Sequence, residues 1–365
     1  MAIANVSHIS LADIKKFKSL TEVTVGRCDG LFPEELDGSF VFRSVKSLTL
    51  HESHLTSKSS LSKGLNFFPT ISVLEIDGDY KECVMQFPSS SSLQKLSFRD
   101  CERLVLVPVE KENGGGIQED KSLLQSLSIS GCGELFCRWP MGEAETICPF
   151  PASLRELYVN YEPSMKSMAL LSNLTSLTSL SLRKCRNLTV DGFNPLIAVN
   201  LTRLQVFECN TLAADMLSEV ASQRLLLPAG YISRLEVLRV DDISGLLVAP
   251  ICNLLAPALH RLVFECDWRT ESLTEEQEKA LQLLTSLQEL EFSHCWCLQS
   301  LPQGLHRLSS LKELYVVGCG EVLSMPKEGL PVSLRKLFMN FRSTEIDEQI
   351  EKIKRTNPDL SVSDD

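Results

Sequence analysis

Apolar residues return along the chain in a nine-residue pattern, L-x-x-L-x-L-x-x-C or a close variant, thirteen times. The clearest copies are LQKLSFRDC (Leu93 to Cys101), LQSLSISGC (Leu124 to Cys132), LTSLSLRKC (Leu177 to Cys185), LTRLQVFEC (Leu201 to Cys209), LQELEFSHC (Leu287 to Cys295) and LKELYVVGC (Leu311 to Cys319). Looser copies begin at Leu20, Val45, Ile71, Leu154, Leu235, Leu259 and Leu334. Successive starts lie 22 to 34 residues apart. Each L-x-L core alternates apolar and polar residues, the period of a strand with one buried face. Its leucines point inward and the residues between them point the other way. The arms that return from one copy to the next are expected to be loop or short helix. Several carry Pro directly after an apolar residue, at Phe32-Pro33, Val107-Pro108, Leu301-Pro302 and Met325-Pro326. Proline there stops strand pairing and sets a turn.

A period of roughly 20–29 residues with this spacing marks a leucine-rich repeat array. The expected fold class is α/β: a leucine-rich repeat solenoid, a curved horseshoe with one parallel β-sheet on its concave face. Each repeat buries its apolar side only against its neighbours. Leu96, Leu127, Leu157, Leu180, Leu204, Leu290 and Leu314 are the expected ladder of that core. The array occupies residues 20–342. Residues 1–19 form an entry segment and a poor cap, because Phe17 and Leu20 lead almost at once into the first repeat. The first strand's edge is then expected to be uncovered, which fits a fragment or a product without its upstream half. Residues 343–365 form a helical cap and tail, with Ile346, Ile350 and Ile353 on one stripe. Ser343 or Thr344 can cap that helix, and Asn357-Pro358 stops it. Long insertions fall at 110–122, 136–153 and 215–233. The first two are expected to be mobile surface loops. The third has helical spacing through Met216, Val220 and Leu225.

Charge narrows the partners. The 365 residues carry a formal net charge of −11, against a general binder of nucleic acid or of anionic membranes. No stretch approaches the roughly 18 apolar residues of a membrane span. The first residues lack a basic region followed by an apolar core, so a cytoplasmic or nucleocytoplasmic location is expected. Of 13 cysteines, seven (Cys28, Cys101, Cys132, Cys185, Cys209, Cys295, Cys319) hold the ninth position of a repeat. A small, weakly polar side chain packs beneath the bend there, so these are expected to be buried reduced thiols. Strands ~4.8 Å apart also leave bridges between neighbouring thiols geometrically open. The absent signal weighs against them, and against use of the sequons at Asn5, Asn173, Asn187 and Asn200.

No catalytic constellation emerges. There is no phosphate loop, no Gly-x-Gly-x-x-Gly and no nucleophile elbow. The His51-Glu52-Ser53-His54 run has one residue too few for a zinc helix. Ser293-His294-Cys295-Trp296-Cys297 holds a single Cys-x-Cys, and Asp77-Gly78-Asp79 lacks the other ligands of a calcium loop. No enzyme activity, cofactor or metal is expected. A binding surface remains. By register its outward aromatics are Tyr158, Phe207, Tyr315 and Phe338, with Tyr161 and Phe341 at the adjoining bends. Basic residues gather at Lys95, Arg99, Arg183, Lys184 and Arg203, and acidic ones follow at Asp241, Asp242, Glu265, Glu289, Glu291 and Glu313. Exposed aromatics and arginines are the usual anchors of protein recognition.

Three features carry a family resemblance. One is Cys at the ninth position, another is irregular repeat length. The third is LKELYVVGCGEVLSMPKEGLPVSLRKLFM, with its Gly-Cys-x-x-x-Leu-x-Met-Pro and Gly-Leu-Pro-x-Ser-Leu runs, and LQELEFSHCWCLQSLPQGLHRLSSLKEL alongside. Over nearly its whole length the chain resembles the C-terminal leucine-rich repeat domain of plant intracellular nucleotide-binding disease resistance proteins, of the coiled-coil class common in grasses. The resemblance implies recognition of a pathogen effector or a host protein, and autoinhibition through an upstream nucleotide-binding module. That module is missing here, so no switch chemistry falls on any residue. A substrate-recognition region of an F-box ubiquitin ligase adaptor is the alternative, but residues 1–16 are too short for the F-box.

Overall fold

A computed structural model describes residues 2–4, 19–26, 41–51, 65–78, 83–88, 92–108, 122–140, 148–223 and 226–364. Phe17, Cys28, Pro33, His54, Asp79, Leu225 and nearly all of the 110–122 insertion lie outside them. The chain divides into two compact units, Met1–Ile197 and Ala198–Asp365.

The described strands of the first unit are β1 (Ala2–Ala4), β2 (Glu22–Gly26), β3 (Ser47–His51), β4 (Val73–Asp77), β5 (Cys83–Gln86), β6 (Lys95–Arg99), β7 (Leu104–Val107), β8 (Ser126–Ser130), β9 (Glu156–Asn160) and β10 (Ser179–Arg183). All but β5 and β7 form one parallel sheet in the order β1-β2-β3-β4-β6-β8-β9-β10. Seven of these begin two residues after a motif start. The register sets leucine on leucine, from Leu48 through Leu74, Leu96, Leu127 and Leu157 to Leu180. Each of these is at most 2% exposed. A second column of apolar residues, Leu50, Ile76, Phe98, Ile129, Val159 and Leu182, lies beside the first and is equally buried. Burying one such side chain is worth ~1.5–3 kcal/mol, and no repeat obtains that without a neighbour.

Two return arms differ from expectation. β5 and β7 pair with each other in parallel as a second, two-stranded sheet. The run Leu104-Val105-Leu106-Val107 is half β-branched, which favours strand over helix, and Pro108 ends it. The 136–153 insertion is anchored at both ends. Phe136, Trp139 and Phe150 are buried, with Phe150 5.6 Å from Phe136 and 6.2 Å from Phe87 between ring centroids. This aromatic cluster replaces the loop expected there, except at 141–147, which lie outside the described residues.

The second unit continues the motif through β11 (Arg203–Phe207), β12 (Val237–Val240), β13 (Arg261–Glu265), β14 (Glu289–Ser293), β15 (Glu313–Val317) and β16 (Lys336–Met339), with β17 (Ser361–Ser363) on its last edge. Its parallel sheet stacks Leu204, Leu238, Leu262, Leu290, Leu314 and Leu337 in register. Its return arms turn helical. α1 (Leu212–Ser222) buries Met216 and Val220, as the spacing predicts. It packs against α3 (Ala249–Leu255), which follows the short α2 (Ile243–Leu246) and in turn packs against α4 (Glu275–Leu281). A capping box between Thr274 and Gln277 starts α4. The terminal helix α5 (Thr344–Thr356) is capped by Ser343, whose hydroxyl accepts the Ile346 N–H, and it buries Ile346 and Ile350. Arg342 clasps this end, 3.1 Å from Asp347 and 2.6 Å from Asp364.

A second regularity runs along the bends. The eighth residue of the repeat has positive φ at Gly78, Asp100, Gly131, Tyr161, Lys184, Glu208, Cys266, His294, Gly318 and Phe341. For the non-glycine members this left-handed backbone costs about 1 kcal/mol or more each. The bend repays it with hydrogen bonds. At most of these bends the eighth N–H donates to the seventh-residue carbonyl of the following repeat, as in Asp100 to Ser130 (2.7 Å), Tyr161 to Arg183 (2.9 Å), Cys266 to Ser293 (2.8 Å) and His294 to Val317 (2.6 Å), whereas Glu208 and Gly318 donate to the side chains of Asp241 and Asn340. The ninth-position thiol donates to the seventh carbonyl of its own repeat, at 3.2 Å for Cys101, 3.4 Å for Cys132, 3.3 Å for Cys185 and 3.0 Å for Cys209. Where both are present, as at Arg183 and Ser293, one carbonyl takes an N–H and an S–H. The ninth-position thiols described are buried. Hydrogen bonding to Cys132 and burial push the Cys101 thiol up, and Cys319 and burial do the same to Cys295.

One repeat breaks the cysteine rule with a charge-bearing group. Glu162 holds the ninth position between Cys132 and Cys185 and is fully buried. One carboxyl oxygen accepts from the N–H and hydroxyl of Ser164, and the other has no partner. Burial pushes this carboxyl up to about 9 from an ordinary 4.5. Between those values the folded chain keeps a proton that the unfolded chain has lost. Stability from this site is therefore lost as pH rises through that window, by about 1.4 kcal/mol per pH unit. Glu162→Gln should flatten the fall in denaturation midpoint between pH 5 and pH 8 and raise the midpoint at pH 8. A steeper fall in the variant would contradict the assignment.

Candidate functional site

Each sheet has an open face, opposite the leucines, where side chains at the third, fifth and seventh repeat positions form three rows. In the first unit the middle rows are rich in hydroxyls. Tyr158 on β9 lies in register with Ser128 on one side and Ser181 on the other. Asn160 is flanked by Ser130, to which its amide donates at 3.2 Å, and by Arg183. The half-buried Tyr158 ring thus stands between small neighbours. Arg99 and Lys95 project from β6, both exposed, and Arg183 and Lys184 close the other edge, Lys184 from its left-handed bend. Further along, His51 meets Asp77 across adjacent strands at 2.9 Å. The structure thus brings together Tyr158 and Arg183 with Lys184, and sets Arg99 two strands from Tyr158.

The second unit presents a cross-linked lattice. Arg261 on β13 reaches Glu289 at 3.1 Å and Glu291 at 3.0 Å on β14. Arg239 on β12 pairs with Glu265 on β13. Burial raises the Glu289 carboxyl from its usual range, against the lowering pull of Arg261. On β15, Tyr315 donates its hydroxyl proton to Glu313 at 2.5 Å and accepts from the Lys336 ammonium at 3.2 Å. Lys336 also lies 5.0 Å from the centre of the Tyr315 ring, and Phe338 packs beside it at 6.2 Å between centroids. Burial and the bond to Glu313 push the Tyr315 hydroxyl up. The ring is held on three sides.

Two sequence expectations need correction. Phe207 is not an exposed anchor: it is 5% exposed, and the Arg239 guanidinium sits 5.6 Å over its ring. Nor do the later repeats present a free acidic strip. Glu265, Glu289 and Glu291 face arginines, Asp241 accepts the Glu208 N–H, and Asp242 caps α2 by accepting the Gly245 N–H at 2.8 Å. Arg203 is exposed, at the first edge of this unit's sheet. Asp241, Asp242 and Glu265 were read from two of the repeats starting at Leu235, Leu259 and Leu334, yet Arg239, Arg261 and Lys336 in those repeats were missed. The same register count that placed Glu289 would have placed them. At the bends, Tyr161 and Phe341 are exposed, as expected from register.

The remaining candidates do not converge. Cys295 is buried and donates to backbone carbonyls, whereas Cys297 donates to the Trp268 carbonyl at 3.1 Å. Among the described residues no group of three or more His, Cys, Asp or Glu could hold a metal ion. Among them, too, no helix is long and apolar enough to cross a membrane.

No family model matches the chain, and no curated protein matches it. Solved structures do. An internalin of Listeria monocytogenes aligns over 96% of this chain and 88% of its own, with 16% identity and a TM-score of 0.47. A leucine-rich repeat protein of Leptospira interrogans aligns over 96% and 92%, with 17% identity and a TM-score of 0.39. The repeat register seen within each unit makes this a leucine-rich repeat fold in its own right.

The lattice gives a direct test of its own weight. Arg261→Ala would leave Glu289 and Glu291 facing each other unpaired on a half-exposed surface. The expected loss of stability is below about 1 kcal/mol at low salt. It should shrink in 0.5 M salt, checked by chemical denaturation in both conditions. A loss unaffected by salt would assign Arg261 a packing role instead.

Proposed function

We propose that this chain is a non-catalytic protein-recognition scaffold: the sensing and autoinhibitory leucine-rich repeat region of a plant intracellular immune receptor, acting in defence against pathogens. The observation that carries the recognition role is Tyr315. Its ring is half-buried, fixed by Glu313 and Lys336, and doubled by Phe338. An aromatic anchor already held in place loses little side-chain freedom on binding, so more of its contact energy appears as affinity. Tyr158 offers a second anchor among hydroxyls, beside cationic Arg183 and Lys184. The charged groups around both anchors suit a partner surface of mixed charge, whose approach they orient. The receptor assignment rests on the ninth-position cysteines, the irregular spacing and the Gly-Cys-x-x-x-Leu-x-Met-Pro run ending at Pro326. In that reading the partners are a pathogen effector or a host protein, and an upstream nucleotide-binding module, in the cytoplasm or between cytoplasm and nucleus.

The test is binding of this chain to the nucleotide-binding module of a grass coiled-coil receptor and to candidate effectors. Replacing Tyr158, Tyr315 and Phe338 together by Ala should weaken a genuine complex by about 2 kcal/mol or more, roughly 30-fold. Circular dichroism should remain native, since none of the three is in the leucine core. Unchanged affinity in a folded triple variant, for every partner found, would move recognition off the open face.

A further inference from the structure

The edge of the second unit's sheet where the chain enters the strands carries a cavity of about 480 Å3. It lies at the opposite end of the strands from the left-handed bends and apart from the Tyr315 ring. The second residues of four consecutive repeats line it: His260, Gln288, Lys312 and Arg335. The rest of the lining is hydroxyl, from Thr285, Ser286, Ser309, Ser310 and Ser333. Three basic side chains and five hydroxyls meet there with no carboxylate in the wall, on a chain whose net charge is −11.

The groups differ in what they have left to give. Ser286 and Ser333 donate their hydroxyls to the carbonyls of Pro257 (3.3 Å) and Leu311 (2.8 Å), which ties them to the neighbouring repeat. The hydroxyls of Thr285, Ser309 and Ser310 and the His260 ring make no such bond, so they can turn to a ligand. Lys312 donates to the Gln288 side-chain oxygen at 2.9 Å, a neutral partner that leaves its charge uncompensated. Arg335 reaches one carboxylate, Asp359, at 3.4 Å, with both side chains exposed. Such a surface pair is worth little and is readily exchanged.

We propose that this groove binds a phosphorylated serine or threonine in an extended segment of a protein partner. Lys312 and Arg335 directly precede the paired strands β15 and β16, the Arg335 N–H donating to the Lys312 carbonyl at 2.7 Å, so their columns are ~4.8 Å apart, a spacing that lets two cations grip one phosphoryl group from either side. A phosphoryl brings a charge of about −1.5 to −2 and three acceptor oxygens, which match two cations plus the hydroxyls of Ser309 and Ser310. A carboxylate, with two oxygens and one charge, would leave donors unused. From His260 to Arg335 the groove crosses three strand steps, ~14 Å, about four residues of extended chain at ~3.3–3.6 Å each. The cavity is therefore longer than a phosphate ion, and His260 and Gln288 meet the residues flanking the modified one. A bound phosphoryl would displace Asp359 from Arg335.

The experiment is fluorescence anisotropy with the whole chain and a labelled degenerate heptapeptide library with a fixed central phosphoserine. The control is the same library with serine. The phosphoserine library should bind at least tenfold tighter, and inorganic phosphate should compete. Lys312→Gln and Lys312→Glu should abolish the preference, while Asp359→Asn should tighten binding severalfold by freeing Arg335. Lys166→Glu, an exposed position in the first unit, should change nothing. All these positions are exposed, so native circular dichroism is expected throughout. The proposal is overturned if the two libraries bind alike, or if neither binds. It is equally overturned if Lys166→Glu weakens binding as much as Lys312→Glu. Preferential binding to phosphatidylserine vesicles, lost in Lys312→Glu, would overturn it in favour of a membrane surface.

Discussion

The carbonyl at the end of the open-face strand is the point on which most of the described bends depend. It takes the N–H of the preceding repeat's eighth residue, held in a left-handed conformation, whereas Glu208 and Gly318 donate to the side chains of Asp241 and Asn340. Where the ninth residue is cysteine, the carbonyl also takes that thiol's proton. At Ser293 these are Cys266 at 2.8 Å and Cys295 at 3.7 Å. At Arg183 they are Tyr161 at 2.9 Å and Cys185 at 3.3 Å. A buried carbonyl left without partners would cost a few kcal/mol, so the bend conformation and the ninth-position residue are chosen together. Two of the three glycines at the eighth position follow from the same stacking. A Cβ on Gly131 would stand 2.5 Å from the Asp100 carboxyl, and one on Gly318 would stand 2.8 Å from the His294 ring.

Once the bend and the leucine columns fix the backbone, the open face is free to vary. The two units have used that freedom differently. The first lays out serines around one tyrosine, with cations at either edge. The second binds its charges to each other across strands and locks an aromatic pair among them. Where the ninth residue departs from cysteine, the consequences are local. Asp267 satisfies its carboxylate with the N–H groups of Ile243, Arg269 and Thr270. Arg342 turns outward to staple the last helix. Glu162 finds partners for one oxygen only, and burial holds its proton.

Much of the fold was legible because the motif is periodic and the period is physical. All thirteen strands fall where L-x-L places them, and the helix at 344–356 follows from its isoleucine stripe and its Ser343 cap. Return arms were less legible, since their form depends on what the neighbouring arm offers. Leu104 to Val107 becomes a strand only because Cys83 to Gln86 is there to pair with it. The exposure of Phe207 could not be read from register, because Arg239, one strand away, covers it. The acidic strip failed for the same reason: counting the carboxylates alone overlooked Arg239 and Arg261, which pair with them from adjacent strands. The groove at Lys312 and Arg335 rests on second-position residues, just outside the L-x-L core on which the register was counted.

The central claim is that each repeat is stable only through the ladder it shares with its neighbours. Hydrogen exchange on Leu180→Asp tests it most directly, since the charge would enter the leucine column between β9 and β10. Amide protection should be lost in β9 and β10 and fall off with distance along the first unit. Native protection throughout the variant, with an unchanged melting temperature, would contradict the register and the account built on it.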